Sequence, residues 1–378
     1  MKKNLLVLFL VAFLLPFVPK SLAAESSSQI RGIWLTNVDS EILFKADELQ
    51  RDIDQLAQFN FNTLYPTVWN WGYTLYPSAV AQKATGVGLD PTEGLQGRDV
   101  LQEIINVAHP KKMRVIPWFE FGFMAPADSQ LAKQHSQWLT QRKDGSKIWL
   151  EGAAHKRVWL NPLYPEVQAF IKNLIVEIVS KYDIDGIQLD DHFGYPAEFG
   201  YDPYTVELYK LEHQGQSPPV DSQNKQWIQW RADKITDYVE TIVQSVKKVN
   251  PKVIISLSPN PQTFSLESYL LDWLKWQQKG LIDELVLQVY RNDLSSFTEE
   301  ITQPEVLQVK EKIPLAIGIM TGVKGSITPL NLISEQIEQV KNRSFGGVSF
   351  FFYESLWNLA SKETPQQRQQ FWGSLFTK

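Results

Sequence analysis

The stretch DGIQLDDHFGYP, Asp185 to Pro196, begins as a short apolar strand and ends in two adjacent carboxylates and an imidazole, Asp190, Asp191 and His192, followed by an aromatic turn. A buried carboxylate costs several kcal/mol unless it is paired or hydrogen-bonded. A strand that delivers acids where it runs out therefore points that end at a ligand or at a charge network. Immediately upstream, Val167, Phe170, Ile171, Leu174, Ile175 and Ile178 recur at helical spacing. Downstream, Ile235, Tyr238, Val239, Ile242, Val243 and Val246 do the same. A continuous apolar strand between two amphipathic helices is the signature of a βα unit whose sheet is covered on both faces.

The pattern extends along the chain. Apolar runs rich in β-branched and aromatic residues predict strands at Gly32–Asn37, Asn62–Val68, Arg114–Phe119, Gly186–Asp190, Val253–Ser258, Glu284–Tyr290, Pro314–Ile319 and Gly347–Tyr353. Helical spacing between them is clear at Leu49, Ile53, Leu56 and Ala57 and at Leu101, Ile104, Ile105 and Ala108. It is weaker at Leu270 with Leu274, over Val306 to Val309, at Leu332, Ile333, Ile337 and Val340, and around Phe371, Trp372 and Leu375. Eight strands alternating with helices predict an α/β fold, a (β/α)8 TIM barrel of the usual ~250 residues plus insertions. The rival is a doubly wound open sheet, but the first strand is not followed by the glycine-rich phosphate loop usual in that fold. Two insertions stand out, Asn70 to Gly97 after the second strand and Gly122 to Leu163 after the third. The second is too long for a structureless loop and is expected to carry short elements that wall a cleft.

The chain has 378 residues, 43% of them hydrophobic and 21% charged, enough for a large core. Lys2 and Lys3, an apolar run from Leu5 to Val18 and the small residues up to Ala24 read as a signal peptide over 1–24. Residues 30–378 then form a single barrel domain. The expected location is the periplasm or the exterior, with no membrane insertion after cleavage. An uncleaved anchor is the alternative, though the apolar run is short for a span of ~20 residues. With no cysteine, disulfides, thiolate zinc sites and a cysteine nucleophile are excluded. A net charge of −5 without a basic cluster gives no footprint for nucleic acid. Protein partners are not legible.

In a barrel of this type the loops at the carboxyl ends of the strands build the active site. Those ends carry Asn37 and Asp39; Trp69, Asn70, Trp71 and Tyr73; Trp118 and Glu120; Asp190, Asp191 and His192; Ser258 and Asn260; Gln288, Tyr290, Arg291 and Asn292; and Tyr353, Glu354 and Trp357. Carboxylates among aromatic rings and amides suit glycoside hydrolysis. One acid protonates the leaving oxygen, a second attacks the sugar or activates water, and both stabilise a cationic transition state. Sugar rings stack on Trp and Tyr while their hydroxyls bond amides and acids. Asp190 is the expected nucleophile or electrostatic stabiliser. Glu120 and Glu354 are the candidate acids, with Glu120 favoured because Trp118 and Phe119 would raise its pKa. Asp191, turned the other way by strand alternation, is expected to order the loop or touch substrate. His192, Trp69, Trp71, Tyr73, Trp118, Asn37, Asn260, Gln288, Tyr290, Arg291 and Tyr353 are the expected substrate contacts. For each of these, a structural hydrogen bond or packing role is the alternative.

The runs RGIWLT from Arg31, FNTLYPTVWNWGYTLYPS from Phe61, VWLNPLYPEVQAFI from Val158, YDIDGIQLDDHFGYP from Tyr182, ISLSP from Ile255, IDELVLQVY from Ile282 and GGVSFFFYESLW from Gly346 resemble the bacterial glycosyl-hydrolase-like 10 family. The resemblance runs from about Arg31 to Trp357. It implies an envelope or extracellular barrel glycosidase acting on a polysaccharide, with peptidoglycan glycan strands the natural candidate. Within it, DGIQLDD also resembles the DGFRxD strand of α-amylase-like barrels, with Asp190 at the nucleophile's place. Against the chitinase strand DGxDxDxE, Gln188 and His192 stand where that mechanism needs acids. The fifth strand ends in SLSPNP, without the Glu that amylase-like barrels use there.

Two other functions remain open on the sequence. One is a catalytically inactive glycan-binding barrel acting as an envelope scaffold. The other is a metal-dependent polysaccharide deacetylase, suggested by LDDH. That chemistry needs two histidines converging on one ion, and His109, His135, His155, His192 and His213 lack the spacing. No metal and no cofactor are expected.

Overall fold

The computed structural model describes residues 29–357 and 363–376. The proposed signal peptide lies outside the described residues. Eight barrel strands appear where the apolar runs predict them: β1 Ile30–Leu35, β2 Thr63–Pro66, β3 in two pieces, Arg114–Val115 and Trp118–Phe119, β4 Gly186–Asp190, β5 Ile254–Ser258, β6 Glu284–Gln288, β7 Leu315–Met320 and β8 Gly347–Phe351. All pairings among them are parallel.

The sheet begins with the first half of β3, runs through β2, β1, β8, β7, β6, β5 and β4, and ends with the second half of β3. Its two edges are therefore one strand, and the sheet is closed. Along it the backbone alternates between its two neighbours: Ile116 N donates to Leu64 O (2.9 Å) and Trp118 O accepts from Val68 N (2.9 Å) on the β2 side, while Val115 O accepts from Asp185 N (3.1 Å) and Pro117 O from Gln188 N (2.8 Å) on the β4 side. The uninterrupted strand that the sequence predicts here thus serves both neighbours along its length, and Pro117, which has no N–H, marks only the break between its two pieces.

Closure produces two cores. Inside the barrel, Trp34, Tyr65, Ile116, Trp118, Val286, Ala316 and Phe352 pack together, with Trp34 centred 5.6 Å from Tyr65 and 6.1 Å from Trp118. Rings this large leave no room beside them for another side chain. A Cβ on Gly32 would meet both Ser349 and Tyr65 at 2.7 Å. Outside, the apolar stripe of each helix packs against the sheet, as Val167, Phe170, Ile171, Leu174, Ile175 and Ile178 do on Pro165–Lys181.

One helical reading changes. Leu270 and Leu274 do not share a helix: Leu270 has φ +60° and separates Gln262–Tyr269 from Trp273–Gln278.

Because the strands are parallel, all their carboxyl ends face one rim, and the insertions rise from that rim. After β2 comes a hairpin, Trp69–Asn70 with Tyr73–Thr74, and a helix, Ala79–Thr85. After β3, Met124–Pro126, His155–Trp159 and Trp149–Glu151 form a three-stranded antiparallel sheet. A third insertion, not singled out by the sequence, follows β4 and carries the helix Pro203–Glu212. Among the described residues no helix is long and apolar enough to cross a membrane.

Candidate active site

A cleft of about 810 Å3 opens on the carboxyl rim. β3 and β4 are hydrogen-bonded neighbours, with Phe119 paired to Leu189. The next residue on each, Glu120 and Asp190, therefore leaves the sheet at the same height. Both are buried and both line the cleft.

Glu120 is held by one oxygen. Its Oε2 accepts from Thr36 Oγ1 (3.1 Å), Thr67 Oγ1 (2.9 Å) and Asn70 Nδ2 (2.8 Å), all from β1 and β2 loops. Among the described residues nothing hydrogen-bonds Oε1. Burial pushes the carboxyl up to about 7, against the pull of those three donors and of the His192 charge. The sequence predicts this raised value from enclosure beside Trp118 and Phe119, and burial is its largest cause.

Asp190 leans the other way. Its Oδ1 accepts from Ser258 Oγ (2.8 Å) on β5 and Gln288 Nε2 (2.9 Å) on β6. Its Oδ2 faces His192 Nδ1 at 2.9 Å. That nitrogen also lies 2.9 Å from the Glu120 carbonyl oxygen and 3.0 Å from Asp191 Oδ1. A carbonyl can only accept, so Nδ1 carries a hydrogen, which the Glu120 carbonyl and Asp190 share, with the Asp191 carboxylate close beside it. Burial lowers the proton affinity of His192, but Asp191, Asp190 and Glu151 outweigh it and push the imidazole up to about 10. Burial and then Asp191 push Asp190 up, with His192 pulling against them. The Nδ1 hydrogen of His192 thus fixes the orientation of Asp190 at the cleft.

Asp191 departs from strand alternation because the strand has ended. A 3-10 turn over Asp191–Phe193 swings its carboxylate back to the same imidazole, while Asn260 Nδ2 donates to its other oxygen.

Other predicted contacts divide. Trp71, Tyr73, Trp118, Gln288 and Tyr290 line the cleft with Asp190, Asp191, His192 and Glu120. Trp71 sits at the hairpin turn with φ +52°, beside Gly72 at +79°. This two-residue turn favours small residues and makes a bulky one costly by ~1 kcal/mol. Burial and then the charges of Asp190, Asp191 and Glu120 push the Tyr290 phenol well up.

The remaining predicted contacts lie elsewhere. Trp69 is fully buried, donating to Gly122 O (2.9 Å) and packing on Phe170. Asn37 is buried and accepts from Asn70 Nδ2 (2.8 Å), behind the cleft wall. Asn260 and Arg291 line a neighbouring hollow. Glu354 and Tyr353 line a third hollow, because the chain turns into the helix Tyr353–Trp357 directly after β8. There Glu354 accepts from Glu41 N (3.0 Å) and fastens the loop after β1. It is not brought to the cleft.

Sequence reasoning missed Asp128, Ser129, Glu151, His155 and Arg157, which the second insertion brings to the cleft. Their only signal was the insertion's length. It also missed the Thr36 and Thr67 clamp on Glu120, visible only as hydroxyls at strand ends.

Among the described residues, Asp190, Asp191 and His192 are the only three donors that could close on one cation. The set holds one histidine, whose nearest nitrogen already carries a hydrogen, so it does not match the two-histidine donor set of a deacetylase.

The model of the glycosyl hydrolase-like 10 family matches residues 29–337. The chain belongs to this family. It is 25% identical to the glycosyl hydrolase DigH of Escherichia coli (strain K12), over 72% of this chain and 68% of that protein. It is 24% identical to the glycosyl hydrolase YngK of Bacillus subtilis (strain 168), over 72% of this chain and 56% of that one. Among solved structures, the PgaB (BpsB) glycoside hydrolase domain from Bordetella bronchiseptica superposes with a TM-score of 0.62 at 12% identity, covering 85% of this chain and 94% of that domain. This last likeness is one of fold, a (β/α)8 barrel. As a member of the glycosyl hydrolase-like 10 family, the chain is a glycosidase.

Proposed function

We propose that this glycosidase cleaves a bacterial envelope or extracellular polysaccharide, peptidoglycan glycan strands first among them, by paired-carboxylate chemistry. One observation carries the reading: two buried carboxyl groups with different hydrogen-bond partners leave neighbouring strands at the same height and line one cleft. Glu120, near half-protonated at neutral pH, is the general acid that protonates the leaving oxygen. Asp190, fixed by Ser258, Gln288 and His192, is the nucleophile or the anion that stabilises the oxocarbenium-like transition state. His192 holds Asp190 in place and pulls its proton affinity down against burial. Trp71, Tyr73 and Tyr290 offer ring faces, and Asp191, Trp118 and Gln288 offer polar contacts to sugar hydroxyls. The amino-terminal leader read from the sequence supports export to the periplasm or beyond, where such polymers are found.

The test is release of reducing ends from denuded peptidoglycan, chitin and glucan. Asp190→Asn and Glu120→Gln are expected to lower kcat by about 100-fold or more while polymer binding persists. Binding without product from any polymer by the wild type would overturn the proposal in favour of a glycan-binding scaffold. NMR of the first-formed anomer adds a check on the pair. Retention requires carboxyl groups ~5–5.5 Å apart and inversion ~6.5–9.5 Å in a glycan-bound structure.

A further inference from the structure

Beside the cleft, over the carboxyl ends of β5 and β6, lies a second hollow of about 570 Å3, whose lining includes Asn260, Thr263, Phe264, Arg291 and Glu300. It adjoins the cleft at two points. Asn260 lines the hollow and donates to Asp191, which lines the cleft. Tyr290 lines the cleft, and the next residue, Arg291, lines the hollow.

Packed rings fill the ridge between the two, with Trp159 fully buried and Phe264 in the lining of the hollow. Trp159 lies 5.6 Å from His192, Tyr269 lies 6.1 Å from Trp159, and Phe264 lies 5.5 Å from Tyr269. On the helix Gln262–Tyr269, Gln262 and Ser265 are buried, Gln262 bonding Asp272 and Leu274, while Phe264 stands 48% exposed in the lining of the hollow. A single exposed ring is ordinary on a protein surface; its place here is distinguished by the hollow around it and the cleft beside it. Around the ring, Asn260, Thr263 and the Arg291–Glu300 pair (2.6 Å) supply donors and acceptors. A ring face edged by amide, hydroxyl and charged groups suits a pyranose, which has an apolar face and a polar rim.

We propose that this hollow binds sugar units of the same polysaccharide chain, beyond those held at Asp190, so that the enzyme grips long chains and cuts within them. The inference rests on the glycosidase reading of the cleft.

The test uses the full chain and a length series of oligosaccharides prepared from denuded peptidoglycan strands. For the wild type, kcat/KM is expected to rise with chain length beyond what the main cleft can hold. Phe264→Ala, a surface change, is expected to remove that rise, lowering kcat/KM on the longest oligosaccharides about tenfold through KM. A wild type with no gain from length, or a Phe264→Ala enzyme that keeps the gain, would overturn the proposal. Calorimetric binding of the same series to Asp190→Asn, with and without Phe264→Ala, separates the two readings. If the wild type cleaves nothing yet binding still tightens with length through Phe264, the catalytic assignment fails and the hollow stands. If cleavage occurs and binding ignores Phe264, the reverse holds.

Discussion

At the scale of single residues, Glu120 and Glu354 show how one side-chain type acquires two roles. Both are buried carboxylates at strand ends. Glu354 is spent on a backbone amide of the loop after β1, whereas Glu120 keeps an oxygen toward the cleft and a proton affinity raised by burial. That shift has a signed consequence for stability. With an ordinary value of 4.5 and a folded value of about 7, folded Glu120 binds its proton more tightly than the unfolded chain does. Its contribution is fully present below about pH 4.5 and is lost as pH rises through about 7. At about 1.4 kcal/mol per pH unit across that window, the loss comes to about 3 kcal/mol. Glu120→Gln has no such dependence. Urea denaturation of both proteins from pH 4.5 to 8 is expected to show wild type losing about that much stability relative to the variant. A pH-independent difference would contradict the raised value. With Glu120 in its proposed role of general acid, the kcat/KM of the wild type is also expected to fall on the alkaline side through about pH 7.

At the scale of elements, the site depends on how closely the third-strand insertion starts beside the fourth-strand turn. Gly122 has φ +47°, and a Cβ there would meet His192 O at 2.3 Å and Phe193 N at 3.0 Å. The next residue, Phe123, donates its N–H to the same His192 oxygen (2.9 Å). Gly122→Ala cannot be absorbed by a side-chain rotation, because the obstructing atoms are backbone. The turn carrying His192 must move, and the imidazole then loses its fit to Asp190 and Asp191. The expected outcome is a folded protein by circular dichroism with kcat lowered about tenfold or more. Unchanged kcat would mean that the His192 turn tolerates displacement. The two-residue turn at Trp71-Gly72 works in the same way, placing an aromatic ring at the cleft in a backbone conformation that folding alone would give to a smaller residue.

At the scale of the whole molecule, the barrel separates chemistry from support. At the amino ends of the strands, Arg114 opens β3 and Glu284 opens β6, and their side chains meet at 2.8 Å across the interior. Glu284 also accepts from Tyr65 (2.9 Å) and Ser256 (3.0 Å). Arg114→Met would leave Glu284 as a buried charge without its cation. The expected cost is about 3 kcal/mol, read from urea denaturation, with kcat/KM unchanged at temperatures where the variant is folded. A loss of activity in the folded variant would show that the two rims are coupled.

The order of strands, their number and two of the three insertions were legible in the sequence because parallel strands buried on both faces must be apolar throughout. Each helix must also show one apolar stripe, and both are local patterns. Asp190 and Glu120 were legible for a related reason: polar residues where an apolar run ends need a partner. What the sequence could not convey is direction beyond the strand. Asp191 curls back to His192 because the strand stops one residue earlier, Glu354 turns away because a helix starts at Tyr353, and Asn260 and Arg291 fall just across the ridge from the cleft. These outcomes depend on closure of the barrel through β3 and on loops from separate parts of the chain packing against one another. Hydrogen bonds between residues 50 to 100 positions apart, such as Asn70 to Glu120 and Gln288 to Asp190, have no local pattern to announce them. Periodicity thus determined the scaffold and the rim, and only tertiary packing decided which side chains share the cleft.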